Sequence, residues 1–393
     1  MVTYPEDWKE VQIGDIYQIK RGQVLATNKI SSIKNNTNKY PVYSSQTLNN
    51  GLLGYYHKFL FANGITWTTD GANAGTTKYR EGRFYCTNVC GVLSSQEGFA
   101  NACMAEIINK ETPKYVSYVG NPKLMSNVVS KISIILPPLP EQQAIASALS
   151  DFDEHINNLS DLIEKKKAIR DGALENLISG RTRLDGFSGE WESIPFSQYF
   201  TLLPTNTYSR EQLSDSGEIG NIHYGDVLIK YGCVLSQNDY IPRLIDASKV
   251  NVKQYLNKND VIIADTAEDE TVGKAVQIGE LNIPLISGLH TIACRPNYQT
   301  AGGFLGYYIN SNCYHDQLLP YITGIKVSSI SKKSIGETEL YIPVDPKEQQ
   351  AIAEVLTAMD EEIESLETEK EKMIQIKEGA MDDLLTGRVR LKV

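Results

Sequence analysis

One stretch, which the chain carries twice, decides the fold. Glu141-Gln142-Gln143-Ala144-Ile145-Ala146 returns 207 residues later as Glu348-Gln349-Gln350-Ala351-Ile352-Ala353. The same offset holds without a gap over residues 141–184, and roughly half of the aligned positions are identical. Because a gapless repeat of this length does not arise by chance, the chain is built from two copies of one structural plan.

Both copies of the stretch are predicted to form one long amphipathic helix. Their apolar residues recur at alternating spacings of three and four, which is typical of a coiled-coil seam, and polar residues stand between them. The predicted seam consists of Leu149, Phe152, Ile156, Leu159 and Ile163 in the first copy and of Leu356, Met359, Ile363 and Leu366 in the second. A helix over residues 141–178 would be roughly 57 Å long at about 1.5 Å per residue.

Local signals predict where each helix begins and ends. Pro140 suits a first helical turn. Asp345-Pro346-Lys347-Glu348 has a capping-box pattern, with Asp345 as the cap and Glu348 reaching back to it. Gly180 and Gly387 stand where the two helices should end.

The apolar stripe of such a long helix needs a partner. Two near-copies in one chain favour an antiparallel pair within the molecule; the alternatives are that each helix packs on its own domain or pairs between chains. Gly172 and Gly379 occupy matched positions inside the two helices. Because a helical glycine costs about 1 kcal/mol, we expect a close backbone approach at these positions.

The composition bounds the class of protein. With 393 residues and 41% hydrophobic residues, two or more soluble globular domains are expected. The sequence has no run of about 20 apolar residues and no signal pattern over residues 1–8. None of its six cysteines forms a Cys-x-x-Cys pair, which disfavours zinc and a disulfide framework. We therefore expect free thiols and a cytoplasmic location.

The net charge of −10 is unevenly distributed. Residues 1–140 carry 14 Lys and Arg against 9 Asp and Glu, a net charge of +5. The acidic excess belongs to the helices and to residues 186–343, where 11 basic residues face 17 acidic ones. The first segment therefore has the charge of a domain that contacts phosphates, whereas the second would need a local basic patch to do so.

Globules and helices alternate along the chain. The predicted domains are residues 1–140, the helix 141–187, residues 188–343 and the helix 344–393. Short β-rich runs broken by Gly and Asn predict a sheet-based α+β fold for the globules, and a strand over residues 131–137 or 339–343 leads into each helix. Trp8 and Trp191 mark the start of the two globules, which otherwise share little identity. We therefore expect the globules to contact different targets.

Each junction between globule and helix has a recognisable sequence. The first reads Leu136-Pro137-Pro138-Leu139-Pro140-Glu141-Gln142-Gln143, and it opens a long helix that ends with Leu177-Ile178-Ser179-Gly180-Arg181. These motifs resemble those of the specificity subunits of type I restriction–modification systems. The second copy departs only in replacing the double proline with Val344-Asp345-Pro346. The resemblance covers the whole chain.

This resemblance implies an α+β fold with two sheet-containing target-recognition domains, separated by two long helices that pair as an antiparallel coiled coil with a pseudo-twofold repeat. It implies a non-catalytic subunit, in which each recognition domain reads one half of a bipartite site in double-stranded DNA. The coiled coil would set the gap and dock two methyltransferase subunits, which bring S-adenosylmethionine and methylate adenine at N6. Restriction subunits that use ATP and Mg²⁺ would complete the complex. The chain itself is expected to bind no cofactor and no metal.

Candidate DNA contacts are cationic, amide and hydroxyl side chains in the loops and near the closing strand of each globule, because these groups bind phosphates and base edges. In the first domain they are Lys20, Arg21, Gln46, Lys78, Arg80, Arg83, Lys123 and Asn127, with Lys78, Arg80 and Arg83 assigned to a loop that starts at Asp70. In the second they are Thr266, Thr271, Lys274, Lys326, Ser328, Ser329, Lys332 and Lys333. Any one of them could instead be an ordinary solvated surface residue.

The sequence contains no recognisable catalytic motif. It has no Asn/Asp-Pro-Pro-Tyr/Phe motif, no Walker loop and no His-Glu-x-x-His, and its five histidines are scattered. Two other functions stay open. The acidic balance would also suit a coiled-coil protein-binding scaffold without DNA contact, and an enzyme with an unfamiliar site is the third possibility.

Overall fold

The computed structural model describes residues 4–45, 48–324 and 326–392. The chain divides into two compact units. The first joins Met1–Ser160 to Thr368–Val393, and the second is Asp161–Glu367. Each unit therefore holds one globular domain and a segment of each long helix. In the part of the chain described here, no helix has both the length and the apolar character to cross a bilayer.

The first globular domain alternates short strands and short helices before the first long helix. Its strands are β1 (Lys9–Gln12), β2 (Gln18–Arg21), β3 (Tyr40–Tyr43), β4 (Leu52–Tyr56), β5 (Phe61–Thr68), β6 (Thr77–Cys86), β7 (Cys90–Ser94) and β8 (Ser133–Leu136). Its helices are α1 (Ile13–Ile16), α2 (Ala102–Glu111) and α3 (Ser126–Val129), and the long helix is α4 (Leu139–Ile178). Short 3₁₀ turns cover Thr27–Lys29, Leu48–Gly51 and Thr112–Tyr115.

A six-stranded sheet with the order β2-β7-β5-β6-β3-β4 forms the centre of the first domain. Strand β5 pairs antiparallel with both β6 and β7. The segment after β2 bonds to two other strands: Gly22 N donates to Cys90 O at 2.9 Å, and Gln23 N donates to Cys86 O at 3.0 Å. The core shared with α2 includes Ile65, Trp67, Met104 and Ile108. A separate antiparallel pair of β1 and β8 ties the start of the domain to the strand that leads into α4.

The second globular domain has more, and shorter, strands. They are β9 (Trp191–Pro195), β10 (Phe200–Leu203), β11 (Leu213–Ser214), β12 (Gly220–Ile222), β13 (Val234–Leu235), β14 (Arg243–Leu244), β15 (Val261–Ala264), β16 (Thr266–Ala267), β17 (Ala275–Ile278), β18 (Leu285–Ser287), β19 (Thr291–Pro296), β20 (Ser328–Ser329) and β21 (Glu339–Pro343). The helices are α5 (Phe196–Tyr199), α6 (Tyr224–Ile229), α7 (Phe304–Ile309), α8 (Asn312–Leu318), α9 (Lys332–Ile335) and the long α10 (Pro346–Thr386), with 3₁₀ turns at Arg210–Gln212, Val252–Gln254 and Leu319–Tyr321.

Two sheets organise the second domain. The larger has the order β10-β19-β15-β17-β13 and matches the central part of the first domain, because β15 again pairs antiparallel with both neighbours. A second sheet, β11-β14-β12-β18, is built largely from residues 213–244 and closes against β18. Strands β21 and β9 pair antiparallel before α10, as β8 and β1 do before α4.

In each unit, the two helix segments run antiparallel and are joined by ion pairs. In the first unit, Lys377 Nζ lies 2.5 Å from Asp153, and the more N-terminal Glu369 lies 3.9 Å from His155, further along α4. In the second unit, Lys166 pairs with Glu362 at 2.7 Å. The predicted antiparallel coiled coil is therefore confirmed.

Seam positions differ in what they touch. Leu149 and Leu356, early in their helices, pack into the core of the globule of their own unit. Leu159, Ile163 and Ile363 are also buried, whereas Phe152, Ile156, Met359 and Leu366 are half-buried. Each long helix therefore packs on a globular domain near its start and also pairs with the other helix, although these two arrangements were expected to be alternatives.

The helix ends match their sequence signals, with one correction. Gly180 and Gly387 follow the last helical turns and both have a φ of 70°, a conformation that favours glycine. Asp345 caps α10, because its Oδ1 accepts from Lys347 N at 2.9 Å. Glu348 does not complete a capping box: its carboxylate accepts from Arg183 and Trp191 instead. The buried carboxylate of Glu348 is stabilised more by the positive charge of Arg183 than by a hydrogen bond to the backbone of the cap.

The expectation for the helical glycines was wrong. A side-chain carbon added at Gly172 or at Gly379 would meet nothing within 4 Å. No neighbouring backbone therefore comes close to either glycine within its unit. All six cysteines are free thiols, as predicted.

Candidate nucleic-acid interface

Each globule contains the same corner, where its central strand turns into the next one. The corner spans residues 69–76 between β5 and β6, and residues 265–274 between β15 and β17. Matching backbone hydrogen bonds of 2.8–3.0 Å close both corners: Thr68 N to Thr76 O, Gly75 N to Thr68 O, Ala264 N to Lys274 O and Gly273 N to Ala264 O. Gly75 and Gly273 have φ values of 92° and 95°, which glycine adopts freely. The globules therefore share this element despite their unlike sequences.

A carboxylate begins the corner of the first domain and is held by two neighbours. Thr69 Oγ1 donates to Asp70 at 2.6 Å, and Arg21 donates to the same carboxylate oxygen at 3.0 Å. Arg21 also donates from Nε to Asn88 O at 2.8 Å. The exposed guanidinium of Arg21 is thereby oriented over the corner, with its remaining N–H groups free to donate outward.

The corner of the second domain also has a threonine beside its carboxylate, but a histidine takes the place of the arginine. Thr266 Oγ1 donates to Asp265 at 2.8 Å, and His290 Nδ1 lies 3.3 Å from the same carboxylate. His290 has a φ of 53°, a backbone conformation that residues other than glycine rarely adopt. Its ring contacts that of Tyr224 edge-on, with 5.3 Å between the ring centres. A histidine that is held in this conformation by its surroundings is a candidate functional residue.

A short loop stands beside each corner; we call residues 117–123 the first finger. We call residues 323–329, apart from residue 325, which lies outside the described residues, the second finger. Reciprocal backbone hydrogen bonds close both: between Ser117 and Lys123 at 2.9 Å each way, and between Thr323 and Ser329 at 3.0 and 2.8 Å. Each finger then pairs with its corner, through the bridge of Asp70 to Lys123 and the β16–β20 ladder. Finger and corner together form one surface in each domain.

The structure brings part of the candidate set of the first domain to this surface. Arg21 and Lys123 lie at the corner and the finger, and Lys20 and Asn127 are exposed close by in the sequence. Gln46 lies outside the described residues. Lys78, Arg80 and Arg83 were assigned to a loop, which was wrong: the loop ends at residue 76, and all three lie on β6.

Arg80 is placed inside the domain rather than at its surface. Only 6% of the residue is exposed, and its guanidinium stacks on Tyr43 at 3.8 Å from the ring centre. It donates from Nε to Thr66 at 3.2 Å and from Nη1 to Asn50 O at 2.7 Å. Arg80 therefore supports the turn at residues 48–51 from beneath, and we no longer expect it to contact DNA.

The other two cations of β6 have partial internal partners. Lys78 Nζ donates to Asn50 Oδ1 at 2.6 Å, and burial lowers the pKa of Lys78. Arg83 is exposed and lies over the ring of Phe59, at 4.8 Å from its centre. Of the three, Arg83 is the most available to an external ligand.

In the second domain, several candidates meet at the corner and the finger. Thr266 pairs with Ser329, and Ser328 pairs with Ala267, in the β16–β20 ladder. Lys326 on the second finger is exposed, and so are Lys332 and Lys333 on the adjacent α9. These three lysines are close in the sequence and are the candidates for the local basic patch that the acidic second domain would need to approach DNA.

Two candidates of the second domain, Lys274 and Thr271, make hydrogen bonds within the domain. Lys274 donates to Leu228 O at 2.9 Å, and burial lowers its pKa, so this ammonium serves the fold. Thr271 donates to Asp269 from its backbone N at 2.9 Å, in a local turn. Both lie in the corner segment that the sequence indicated, but their polar groups are already engaged.

Sequence reasoning missed the tip of the first finger. Tyr118 and Val119 are 70% and 92% exposed, although both are apolar and stand next to a paired backbone. Apolar residues in a predicted loop look like buried residues when only the sequence is read. The flanking Gly120-Asn121-Pro122 turn signal could have indicated a protruding loop.

No group of three metal-ligating side chains occurs among the residues that the structure describes. What the two surfaces offer is hydrogen-bond donors, exposed lysines and apolar tips. These groups suit binding to phosphates and base edges.

The chain matches the family model of the type I restriction modification DNA specificity domain twice, over residues 5–167 and 189–375. The matches together cover most of the chain and follow the internal repeat.

Relatives of similar sequence carry related names. The specificity subunit of the type I restriction enzyme MjaVIII from Methanocaldococcus jannaschii is 25% identical over 441 residues, covering 99% of this chain and 94% of that protein. The Mycoplasma pneumoniae protein S.MpnORF507P is 41% identical over 160 residues, which is 40% of this chain. That alignment spans 43% of the relative, less than half of its length.

Solved structures show the same fold. The S subunit of a type I restriction–modification system from M. genitalium has a TM-score of 0.61 at 17% identity, covering 98% of this chain and 97% of that one. A chain from a study of the assembly and conformational transition of the type I R-M system has a TM-score of 0.57 at 13% identity, over 98% and 100% of the two chains. At such low identity the likeness extends to the fold alone.

Proposed function

This chain belongs to the family of type I restriction–modification specificity subunits, which recognise DNA, and from that premise we propose that each of its two globular domains reads one half of a bipartite DNA site. Residues 1–140 and 188–343 are the two recognition domains in this proposal. The observation that carries it is the duplicated surface of corner and finger. The closing backbone hydrogen bonds of corner and finger match in the two domains, whereas the side chains differ, as two readers of different sequences require.

The charges of this surface support DNA as the target. In the first domain, Arg21 and Lys123 are exposed within a segment that carries a net charge of +5. In the second, Lys326, Lys332 and Lys333 supply a basic patch on an acidic domain. Lysines and arginines of this kind bind phosphates and position the protein, while neighbouring hydroxyl and amide groups reach base edges.

The two long helices are proposed to set the gap between the half-sites. Helix α4 has 40 residues and α10 has 41, so each is roughly 60 Å long. A strut of that length corresponds to at most about 17 base pairs of DNA.

The partners follow from the family in the same way. Two methyltransferase subunits would dock on the helices, bind S-adenosylmethionine and methylate adenine at N6. Restriction subunits would contribute ATP- and Mg²⁺-dependent cleavage. This chain would then perform no catalysis of its own, and the isolated chain should not turn over S-adenosylmethionine. A cytoplasmic location remains part of the proposal.

Exchange of one recognition domain tests the central claim. We would replace residues 188–343 with the corresponding domain of another family member and sequence the methylated sites in a host that expresses the chain with its methyltransferase. One half-site should change, while the other half-site and the gap stay the same. If both half-sites change or neither does, the assignment of one half-site to each domain is wrong.

A protein-binding scaffold without DNA contact is the competing function. Lys332→Ala with Lys333→Ala separates the two, because each lost phosphate contact should lower the slope of log affinity against log salt by about one for all DNA sequences. Lys258→Ala is the matched control, because Lys258 is an exposed lysine that pairs with Glu280. Unchanged affinity and salt slope in the double variant would favour the scaffold.

A further inference from the structure

The tips of both fingers leave apolar side chains in water. Tyr118 and Val119 project from the first finger, and Val327, 51% exposed, projects from the second. No side-chain hydrogen bond within the described chain holds Tyr118. Because an exposed valine or tyrosine gains roughly 25 cal/mol for each Å² of apolar surface that it buries, these tips favour a binding partner that covers them.

The fingers are held rigidly enough to present these side chains. The first finger is closed by the Ser117–Lys123 pair and fixed to the corner by Gly71 N, which donates to Pro122 O at 2.9 Å. The second finger is closed by the Thr323–Ser329 pair. At its Gly324, with a φ of 127°, a side-chain carbon would come within 1.9 Å of Val327 O, so the backbone there needs glycine.

An exposed lysine accompanies each tip. Lys123 stands at the base of the first finger, and Lys326 lies beside Val327 on the second. An apolar tip flanked by exposed lysines matches the surface of a DNA groove, where phosphates line the rim and base edges form the floor. The thymine 5-methyl group is the apolar feature that the major groove displays.

We propose that Tyr118 and Val119 in the first finger, and Val327 in the second, are specificity-determining residues that contact base edges in the major groove, with thymine methyl groups as their targets. This inference rests on the proposed function, because it names the base contacts of the two recognition domains. The corner and the lysines then fix the register, and the apolar tips select the base.

The test uses the full-length chain assembled with its methyltransferase partner and a pool of duplexes with randomised bases. Tyr118→Ala with Val119→Ala should weaken the preference for thymine about tenfold at one or two positions of one half-site. The other half-site should be unchanged. Replacing those thymines by uracil, which lacks the methyl group, should weaken binding of the unaltered protein and leave the double variant unaffected.

Three control variants separate base contact from general binding. Lys123→Ala should weaken binding to all sequences alike, because it removes a phosphate contact. Ile33→Ala removes another exposed apolar side chain of the same domain and should change nothing. Tyr118→Phe keeps the ring and should keep the thymine preference.

The outcomes distinguish this inference from the function it rests on. If the unaltered protein shows no base preference in the half-site of the first domain, the proposed function fails. If it shows that preference and the double variant retains it in full, the finger assignment alone is overturned. A weakened preference at a base other than thymine, or no effect of uracil, would overturn the methyl contact.

Discussion

The guanidinium of Arg390 donates to both carboxylate oxygens of Glu141, at 2.7 Å each. Trp8 Nε1 donates to the same carboxylate at 2.9 Å. In the second unit, Arg183 and Trp191 hold Glu348 in the same way. In both units, an arginine just past the end of one long helix thus clamps the buried glutamate that begins the other.

Breaking a clamp should destabilise its unit. Arg183→Ala leaves the carboxylate of Glu348, 1% exposed, without its cation and should cost about 3 kcal/mol of unfolding free energy. Arg390→Ala should act in the same direction on the first unit, with faster hydrogen exchange around Trp8. Arg181→Ala is the matched control, because this exposed arginine lies two residues from Arg183 and should change little. Equal stability of Arg183→Ala and the control would refute the clamp.

Reversing one charge pair tests the antiparallel register of the helices. Asp153→Lys places two cations opposite each other and should cost roughly 0.5–1 kcal/mol, as should Lys377→Asp. The double variant should recover most of that loss, because the pair is restored with its charges exchanged. Chemical denaturation of all four proteins gives the coupling energy. A coupling of zero would mean that the two side chains do not meet in solution.

Lengthening both helices should lengthen the DNA gap. Seven residues inserted after Ser160 and seven after Glu367 keep the heptad pattern and add about 10 Å to each helix. The preferred gap should grow by about three base pairs, with weaker binding because the half-sites rotate relative to each other. Both half-site sequences should be retained. A gap that stays the same in the methylated sites would contradict the proposal that the two helices set it.

The revised role of Arg80 is open to a direct test. Arg80→Met removes the stacking on Tyr43 and the bonds to Thr66 and Asn50, and should cost about 2 kcal/mol of stability. Because the guanidinium is buried, the salt dependence of DNA binding should not change. Arg83→Met, on the same strand but exposed, should show the opposite pattern, with normal stability and a lower salt slope. A reduced salt slope in Arg80→Met would restore its original assignment.

Stability should depend on pH through Glu106. Burial is the main cause that raises the pKa of this carboxyl group. A folded-state pKa above the unfolded value means that ionisation opposes folding, so the penalty is present above the folded pKa and disappears as the pH falls below the unfolded one. Glu106→Gln should therefore raise the melting temperature at pH 8 and have no effect near pH 3. A stabilisation that is equal at both values would exclude ionisation as its cause.

Features set by local sequence were predicted well. The two long helices, their ends at Gly180 and Gly387, and the strand before each helix depend on periodicity and on caps, which neighbouring residues determine. Repetition of the pattern also pointed to pairing within the molecule.

Features set by distant contacts were not predictable. The burial of Arg80 depends on Tyr43 and Asn50, which approach it only when β3 pairs with β6 in the folded sheet. Glu348 was assigned to a cap because the residues that claim it, Arg183 and Trp191, are more than 150 positions away. The spacing of Gly172 and Gly379 indicated a shared position, but not which side of the helix was open.

The first unit is assembled from two distant parts of the chain, and this limits how early it can complete its folding during synthesis. This unit needs Thr368–Val393, but the 207 residues of the second unit must leave the ribosome first. At roughly 5–20 residues per second, the early globule waits about 10–40 s for its missing helix. During that interval the apolar residues that later meet Leu384 and Leu385 stay uncovered, so we expect chaperones to bind the nascent chain.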